Sequence, residues 1–343
     1  MCKAKILILQ NGVSHYRIPF YNGLAEYYDI TVAYTGSTYA SDDKKFKEIE
    51  LKGINLMGFL FHRNLNQLVT QYDVVLAMFD LRWPSFILEG LKAENGILWS
   101  HCFGKNALLN SFRVWLLRKA KAVLAYYSDV FEPLIYKGIA AERLFSSGNT
   151  ILVGSPQCAE YTDRNCFIYV GRYQERKRID ILVNSFAEAL PFLSKDINLR
   201  LIGPGFDDFY KKNIEGKSFE DRIELLGPIY DEVELKRYFG AALGYISPGH
   251  VGLGVLHSFA FGVPVLTMNN KYHAPEFSNC KHMINSIIVD NEKQLTDALV
   301  LLDKDRELGA TLAKNGYHLY VDERRMDQMI SRTASAIEFA LKI

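Results

Sequence analysis

The sequence lacks both a strong excess of one charge and any long apolar run. Its 343 residues carry 40 Lys and Arg against 39 Asp and Glu, whereas a dedicated nucleic-acid-binding protein usually shows a basic excess. The balance is uneven, because residues 1–150 hold 17 basic and 13 acidic side chains, which leaves 23 and 26 for the remainder. No window approaches the ~18 uninterrupted apolar residues of a membrane-spanning helix. Any membrane contact is therefore expected to be peripheral.

Cysteine is also scarce. The five cysteines are odd in number and none are spaced as C-x-x-C, a pattern that predicts reduced thiols rather than a disulfide framework or a zinc site. The first apolar run, residues 4–10, is too short for a signal peptide and has the pattern of a strand. These features predict a cytoplasmic protein, and attachment to the inner face of the cell membrane is left open.

Two ligand-binding motifs are missing as well. The segment QNGVSHY after the first predicted strand lacks G-x-G-x-x-G, which argues against a NAD-dependent dehydrogenase. No Asp-x-Asp follows a predicted strand, and the adjacent Asp207 and Asp208 are interpreted as the solvated start of a helix. The sequence therefore predicts no metal and no other cofactor.

What is present is a regular alternation of short apolar runs and amphipathic segments. Residues 143–166, rich in Gly, Ser, Asn and Pro, interrupt it, and part of this segment is interpreted as an interdomain linker. The fold class predicted is α/β, with two doubly wound domains. A final helical pattern, 322–341, has Asp322 as its N-cap and is followed by no strand. The predicted buried strands are residues 4–10, 29–34, 73–79, 96–100 and 122–126 before the linker, and 166–171, 198–203, 223–227, 243–247, 264–268 and 286–290 after it.

Candidate binding residues follow two of these strands. Ligands of doubly wound sheets bind beyond the carboxyl ends of the strands. Arg172 and Lys177, after residues 166–171, are cations suited to a diphosphate; the alternative is a solvated basic turn. After residues 243–247 comes SPGHVGLGVLHSFAFGVPV. Its glycines before a helix favour a backbone cradle for a phosphate, and the alternative is a tight strand-to-helix turn.

These motifs together resemble a known family. YVGRYQERKRIDILVNSF, LRLIGPG, IELLGPI, GLGVLHSFAFGVPVLT and PEF occur in the order and spacing of the group 1, family 4 glycosyltransferases, and NGVSHYRIPFYNGLAE, GILWSHCFGK and GNTI fit the first half. The resemblance implies the GT-B fold, in which two Rossmann-like domains face each other across a cleft. It implies an acceptor domain at 1–150, a nucleotide-sugar domain at 151–320, and a helix at 321–343 that crosses back to the first domain.

The resemblance also implies roles for single residues. Arg172 and Lys177 match the cations that grip the donor diphosphate, Gly12 matches a glycine near the phosphates, and His101 matches a pocket histidine near the reacting sugar. The catalytic positions implied are His101, Arg172 and Lys177. The donor-binding positions implied are Gly12, Gly171, Gly249, His250, Gly252, Leu253, Gly254, Val255, His257 and Glu276.

One departure from the family pattern concerns the loop before the helix. Relatives carry two glutamates eight positions apart, and Gly249 and His257 stand in their places here. A neutral histidine can still bond a ribose hydroxyl, whereas the sugar contact must come from His250, from backbone, or from Glu276. The donor sugar and nucleobase are therefore left unassigned.

The function implied is retaining, metal-independent transfer of a sugar from a nucleotide-sugar to a glycan or lipid-linked glycan, in bacterial surface polysaccharide synthesis. The missing acids keep open an inactive nucleotide-sugar-binding protein. A further alternative is another GT-B enzyme such as a nucleotide-sugar epimerase. No nucleic-acid partner is expected.

The segment 101–124 mixes aromatic and basic side chains on the acceptor side. Leu108, Phe112 and Trp115 follow helical spacing, and the favoured interpretation is a core-facing helix with a basic outer face. The alternative is a rim that rests on an anionic membrane surface. The residues of this rim are Arg113, Trp115, Arg118 and Lys119.

Overall fold

The computed structural model describes residues 3–104, 106–271 and 273–342, which belong to two compact units. Unit 1 comprises the chain up to residue 152 together with the residues from 326 onwards, and unit 2 comprises Val153–Arg325. Each unit has its own parallel sheet with helices on it. No helix in the described ranges is both long and apolar enough to cross a membrane.

The main sheet of unit 1 has seven parallel strands in the order β3-β2-β1-β6-β7-β8-β9, so the strand order reverses between β1 and β6. The strands of the unit are β1 (Lys5–Gln10), β2 (Asp29–Tyr34), β3 (Lys47–Glu50), β4 (Gly53–Leu56), β5 (Phe59–His62), β6 (Val74–Met78), β7 (Gly96–Ser100), β8 (Ala122–Ala125) and β9 (Leu144–Ser146). β4 and β5 form a separate antiparallel hairpin.

Helices cover both faces of this sheet, which explains why the central strands are buried runs without alternation. The first helices are α1 (Ile18–Ala25), α2 (Leu65–Val69), α3 (Pro84–Lys92), α4 (Ala107–Leu117) and α5 (Phe131–Tyr136). Residues of α1 pack on one face, in a cluster with Ile6, Ile8 and Trp99. Residues of α2 to α5 pack on the other face.

The sheet of unit 2 has six parallel strands in the order β12-β11-β10-β13-β14-β15. Its strands are β10 (Cys166–Val170), β11 (Asn198–Ile202), β12 (Ile223–Gly227), β13 (Ala242–Ile246), β14 (Val265–Met268) and β15 (Ser286–Val289). Its helices are α6 (Ile179–Ala189), α7 (Asp207–Asn213), α8 (Glu232–Gly240), α9 (Gly254–Ala260), α10 (Glu292–Lys304) and α11 (Arg306–Glu323). The strand order reverses between β10 and β13, so this is the switch point at which a ligand site is expected.

The last helix, α12 (Met326–Leu341), belongs to unit 1. Met326, Met329 and Ile337 are buried in the cluster that also contains α1 residues. The expectation of one helix at 322–341 capped by Asp322 is wrong, because α11 continues through Glu323. The break comes at Arg324, whose N–H still bonds the Tyr320 carbonyl while its φ of −127° leaves the helical range.

The expectation of a core-facing stripe on α4 is also wrong. Leu108, Phe112 and Trp115 are all exposed, Leu108 by 86%. Val114 and Leu117, on the opposite side of the helix, carry the core contacts instead. The stripe is therefore an apolar surface facing solvent.

Candidate functional site

The loops after β10 and β13 meet at the switch point of unit 2. The backbone N–H of Gly249 donates to the Lys177 carbonyl oxygen (3.1 Å), and that of His250 donates to the Arg176 carbonyl oxygen (2.8 Å). The Lys177 ammonium in turn donates a hydrogen bond to the His250 carbonyl oxygen (2.6 Å). These three bonds join the predicted cation turn to the glycine-rich loop, although the two are far apart in sequence.

Gly249 is required by this close approach. A Cβ at this position would lie 2.2 Å from the Arg176 carbonyl oxygen and 2.8 Å from that of Lys177. Cβ atoms do not approach backbone so closely, and overpacking of this kind is destabilising. The turn after β10 therefore occupies the space of the side chain at the first glutamate position.

The start of α9 lies beside the Lys177 ammonium. A Cβ on Gly252 would meet only the Lys177 Nζ, at 3.9 Å, and within the described residues the N–H groups of Gly252 and Leu253 donate to no protein acceptor. Gly254 has a different role, because a Cβ there would lie 2.4 Å from the Tyr245 hydroxyl on β13. Val255 is buried in the helix that follows. Gly252 thus borders open space with free backbone donors and a cation.

Lys177 is half-buried, and this changes its acidity. Loss of hydration, together with repulsion from Arg176, lowers the pKa of its ammonium to about 8, and Glu276 opposes the shift. Glu276 itself is buried in the short turn Pro275–Asn279. Arg172, by contrast, is exposed at the end of β10, directly after Gly171, whose φ is +150°. Of the two predicted diphosphate cations, Lys177 is therefore half-buried and Arg172 is exposed.

His250 lies close to the Lys177 ammonium and the Arg176 guanidinium. Burial, then the charges of Lys177 and Arg176, lower its pKa to about 4. Its Nε2 is 3.5 Å from an Arg176 guanidinium nitrogen, and its buried Nδ1 bonds no described residue. A neutral imidazole with one unsatisfied nitrogen can accept or donate one bond to a polar ligand.

His273 is a site residue that the sequence reasoning missed. Its Nδ1 accepts the Val251 N–H (3.2 Å), so its proton is on Nε2, which donates to the Met268 carbonyl (2.7 Å). The ring therefore stays neutral and ties the glycine-rich loop to the end of β14. Inspection of the residues after the strand predicted at 264–268 would have found it.

His257, at the second glutamate position, packs among aromatic rings. Its ring centroid is 5.0 Å from that of Phe239 and 5.3 Å from that of Phe261. Burial lowers its pKa to about 4, opposed by Glu232, so the ring is neutral. Its side chain forms no hydrogen bond with the described residues.

In unit 1, His101 follows β7 at the carboxyl edge of the sheet. The residue is exposed, but one face of its ring lies against Tyr126, at 4.4 Å between centroids. Loss of hydration on that side, with the charges of Arg113 and Arg17, lowers its pKa. Arg17, which carried no sequence signal, lies over the Trp99 ring at 5.0 Å. The histidine is therefore neutral, and its neighbours are an aromatic ring and two arginine side chains.

Gly12 and the rim residues of unit 1 have distinct surroundings. A Cβ on Gly12 would lie 2.7 Å from the Ser37 carbonyl, so backbone packing already requires this glycine.

The predicted rim residues differ in their surroundings. The Arg113 guanidinium lies over Phe79 at 5.8 Å, toward the carboxyl edge, and its Nε is buried without a described partner. Arg118 donates to the Lys137 carbonyl (2.9 Å). The remaining rim residues, Trp115 and Lys119, pair at the surface, with the ammonium 3.6 Å from the ring centroid.

No cluster of three or more His, Cys, Asp or Glu side chains suited to a metal ion occurs in residues 3–104, 106–271 and 273–342.

Comparison with solved structures shows that this fold has close counterparts. HepE from Anabaena, in complex with UDP, is 15% identical with a TM-score of 0.70, covering 97% of this chain and 99% of HepE. A glycosyltransferase from Rickettsia africae is 14% identical with a TM-score of 0.71, covering 99% of each chain. The sucrose-phosphate synthase of Thermosynechococcus elongatus is 15% identical with a TM-score of 0.67, covering 98% of each.

Sequence comparison adds a match to one family model. No curated protein matches the chain closely enough to count as a relative. The family model described as glycosyl transferases group 1 matches residues 155–319, a span that contains the interlocked loops, α9 and Glu276. This match spans almost all of unit 2, and the chain has the GT-B fold.

Proposed function

We propose that this chain is a retaining glycosyltransferase that moves a sugar from a nucleoside-diphosphate donor to a glycan or lipid-linked glycan without a metal ion. The observation that carries the proposal is the position of the Lys177 ammonium. It lies beside Gly252, which has no side chain, and beside the N–H groups at the start of α9 that donate to no described acceptor. A fixed cation and backbone donors suit a diphosphate. The HepE structures contain UDP and UDP-glucose, which makes uridine donors the first to test.

In the mechanism that we propose, Lys177, Arg172 and the N–H groups stabilise the charge that develops on the leaving diphosphate. Such preorganised donors supply much of the rate enhancement when a strong nucleophile is absent. An oxygen of the leaving phosphate accepts the acceptor's proton. His101, neutral and held against Tyr126, positions the sugar rather than acting as the base.

The donor sugar has no acidic contact at position 249, since Gly249 has no room for a side chain. We propose that the unsatisfied Nδ1 of His250 and the Glu276 carboxylate beside Lys177 take that role. His257 would meet the ribose in place of the second glutamate.

Replacing Lys177 by Ala tests the proposal. We expect UDP-sugar hydrolysis or transfer to fall at least ~100-fold, as when one transition-state donor is removed elsewhere, and Lys177→Arg to retain part of it. The assay runs with a chelator, because metal-free transfer is part of the proposal. Circular dichroism and thermal unfolding confirm that the variant is folded. Wild-type turnover in Lys177→Ala would refute the assignment.

A second candidate function is nucleotide-sugar binding without catalysis. It is favoured by the replacement of both family glutamates at positions 249 and 257. Tight UDP-sugar binding by the wild type, with neither hydrolysis nor transfer to any glycan or lipid-linked acceptor, would favour it. Measurable donor hydrolysis that depends on Lys177 would exclude it.

We also propose that unit 1 rests on an anionic membrane surface, as expected for a lipid-linked acceptor in surface polysaccharide synthesis. The exposed apolar stripe of α4, formed by Leu108, Phe112 and Trp115, supports this. Trp115 with the adjacent Lys119 has the amphipathic character found at membrane interfaces.

A further inference from the structure

The hairpin of β4 and β5 exposes a second apolar surface on unit 1. Ile54 pairs with Phe61, and Leu56 pairs with Phe59. Residues directly opposite in an antiparallel pair share a face, so these four side chains form one surface. All four are exposed, and Met57 at the tip is 93% exposed. Such contiguous apolar patches mark interaction sites.

The other face of the hairpin anchors it to the start of α3. His62 stacks on Phe86 at 4.7 Å between ring centroids. The Leu60 N–H donates to the Arg82 carbonyl (2.7 Å), and the His62 N–H donates to the Ser85 hydroxyl (2.9 Å). The apolar face is therefore held outward by a fixed base.

The residues at the tip of the hairpin are not those that its turn conformation favours. Met57 and Gly58 have φ of +52° and +86°, the two left-handed residues of a type I′ turn, where Asn-Gly is preferred. A methionine is strained in this conformation. Because the Met57 side chain is exposed, no burial in the core offsets this strain. Strain of this kind points to a role for the side chain outside the folded monomer.

Charge around the hairpin suits an anionic partner. Lys52 and Arg63 flank its base and are exposed, and residues 51–72 contain no Asp or Glu. Residues 95–128, which carry the α4 stripe, likewise contain five basic and no acidic residues. Basic residues beside an apolar surface complement a partner that is itself anionic.

The hairpin and the first turn of α4, which contains Leu108 of the stripe, lie toward the same edge of the sheet. The hairpin is bonded at Arg82, between the end of β6 and the start of α3. The first turn of α4 follows β7. Both are therefore near the carboxyl ends of the strands, where His101 also lies.

We propose that the hairpin Gly53–His62 inserts its tip into the interface of an anionic bilayer, with Lys52 and Arg63 among the headgroups. This rests on the membrane contact proposed for α4 and adds the element that enters the bilayer. Apolar side chains backed by basic ones bind such interfaces through combined burial and electrostatic attraction.

Met57→Asn tests the proposal in the full-length chain. The assay is co-sedimentation with vesicles of equal parts phosphatidylcholine and phosphatidylglycerol at low salt, compared with phosphatidylcholine alone. We expect partitioning to fall at least ~10-fold, because a methionine side chain is withdrawn from an apolar environment. Thermal stability should equal or exceed that of the wild type, since Asn suits the turn. Changing both Lys52 and Arg63 to Gln should weaken binding by about fivefold per charge.

The control is Tyr136→Asn, at the end of α5, where the side chain is 90% exposed; its partitioning should match the wild type. Equal binding of Met57→Asn and the wild type overturns the hairpin proposal, and a loss in Trp115→Ser alone would leave only the α4 contact. If the wild type does not bind anionic vesicles, both the hairpin proposal and the α4 membrane contact are overturned. UDP binding then still tests the donor site independently. A wild-type dimer that Met57→Asn dissociates, without vesicle binding, would assign the hairpin to a second copy instead.

Discussion

At Gly249 the turn after β10 comes so close that a Cβ would lie 2.2 Å from a backbone oxygen. We expect Gly249→Ala to lower the free energy of unfolding by about 1–3 kcal/mol through overpacking, and to weaken UDP binding because the two loops separate. Thermal unfolding and UDP titration measure the two effects.

Gly252→Ala provides the matched control for this prediction. A Cβ there meets only the flexible Lys177 ammonium, at 3.9 Å, so its stability should stay close to that of the wild type. Equal stability of the wild type and both variants would show that the loops are not held together as described.

The positions of the candidate site residues were predictable only where a motif marked them. Lys177 and the glycine loop are recognisable from strand-end position and family pattern, whereas the three bonds that join them depend on tertiary structure. His273 and Arg17 carry no motif, and their contacts with Val251 and Trp99 are made across the sheet edge. Sequence spacing cannot supply contacts of that kind.

At the scale of one helix, α9 presents His257 to Phe239 and Phe261. Its folded pKa of about 4 lies below the unfolded value near 6.5. The unfolded chain therefore binds more protons in this range, and stability present above pH ~6.5 is lost as the pH falls toward ~4.

His257→Phe removes this titration and keeps an aromatic ring in the same surround. We expect its free energy of unfolding at pH ~5 to decline by about 1–2 kcal/mol less than that of the wild type, relative to pH ~7.5. His101 and His250 shift in the same direction, so both proteins still weaken in acid. Urea unfolding at the two pH values measures the difference, and identical losses would contradict the buried, neutral state.

Elements were predictable where burial produces a continuous apolar run. Strands such as β1, β7 and β13 have that pattern. β3, with the sequence KEIE, and β9, within the predicted linker, are edge strands whose pairing is set by their neighbours. On α4, periodicity shows that Leu108 and Trp115 share a face, but it does not show whether that face is buried.

At the scale of the whole chain, unit 1 depends on residues that come last in the sequence. Met329 is fully buried on α12 among residues of α1 and the first sheet. We expect Met329→Ala to cost about 2–5 kcal/mol of stability, as for other buried methionines. The UDP affinity of the folded protein should not change, because the contacts proposed for the diphosphate, from Lys177, Arg172 and the start of α9, lie in unit 2.

Ser331→Ala, at an exposed position of the same helix, is the control and should unfold like the wild type. Chemical denaturation and UDP titration of each protein make the comparison. If Met329→Ala unfolds like Ser331→Ala, α12 does not contribute to the core of unit 1.

The return of α12 to unit 1 has a consequence for synthesis on the ribosome. The chain leaves unit 1 at residue 152 and re-enters it at 326, so unit 2 is an insertion in the topology of unit 1. At ~5–20 residues per second, the first sheet waits roughly 10–35 s for its last helix. The unit that begins first is thus completed last, and during that interval the face of its sheet that α12 covers is available to chaperones.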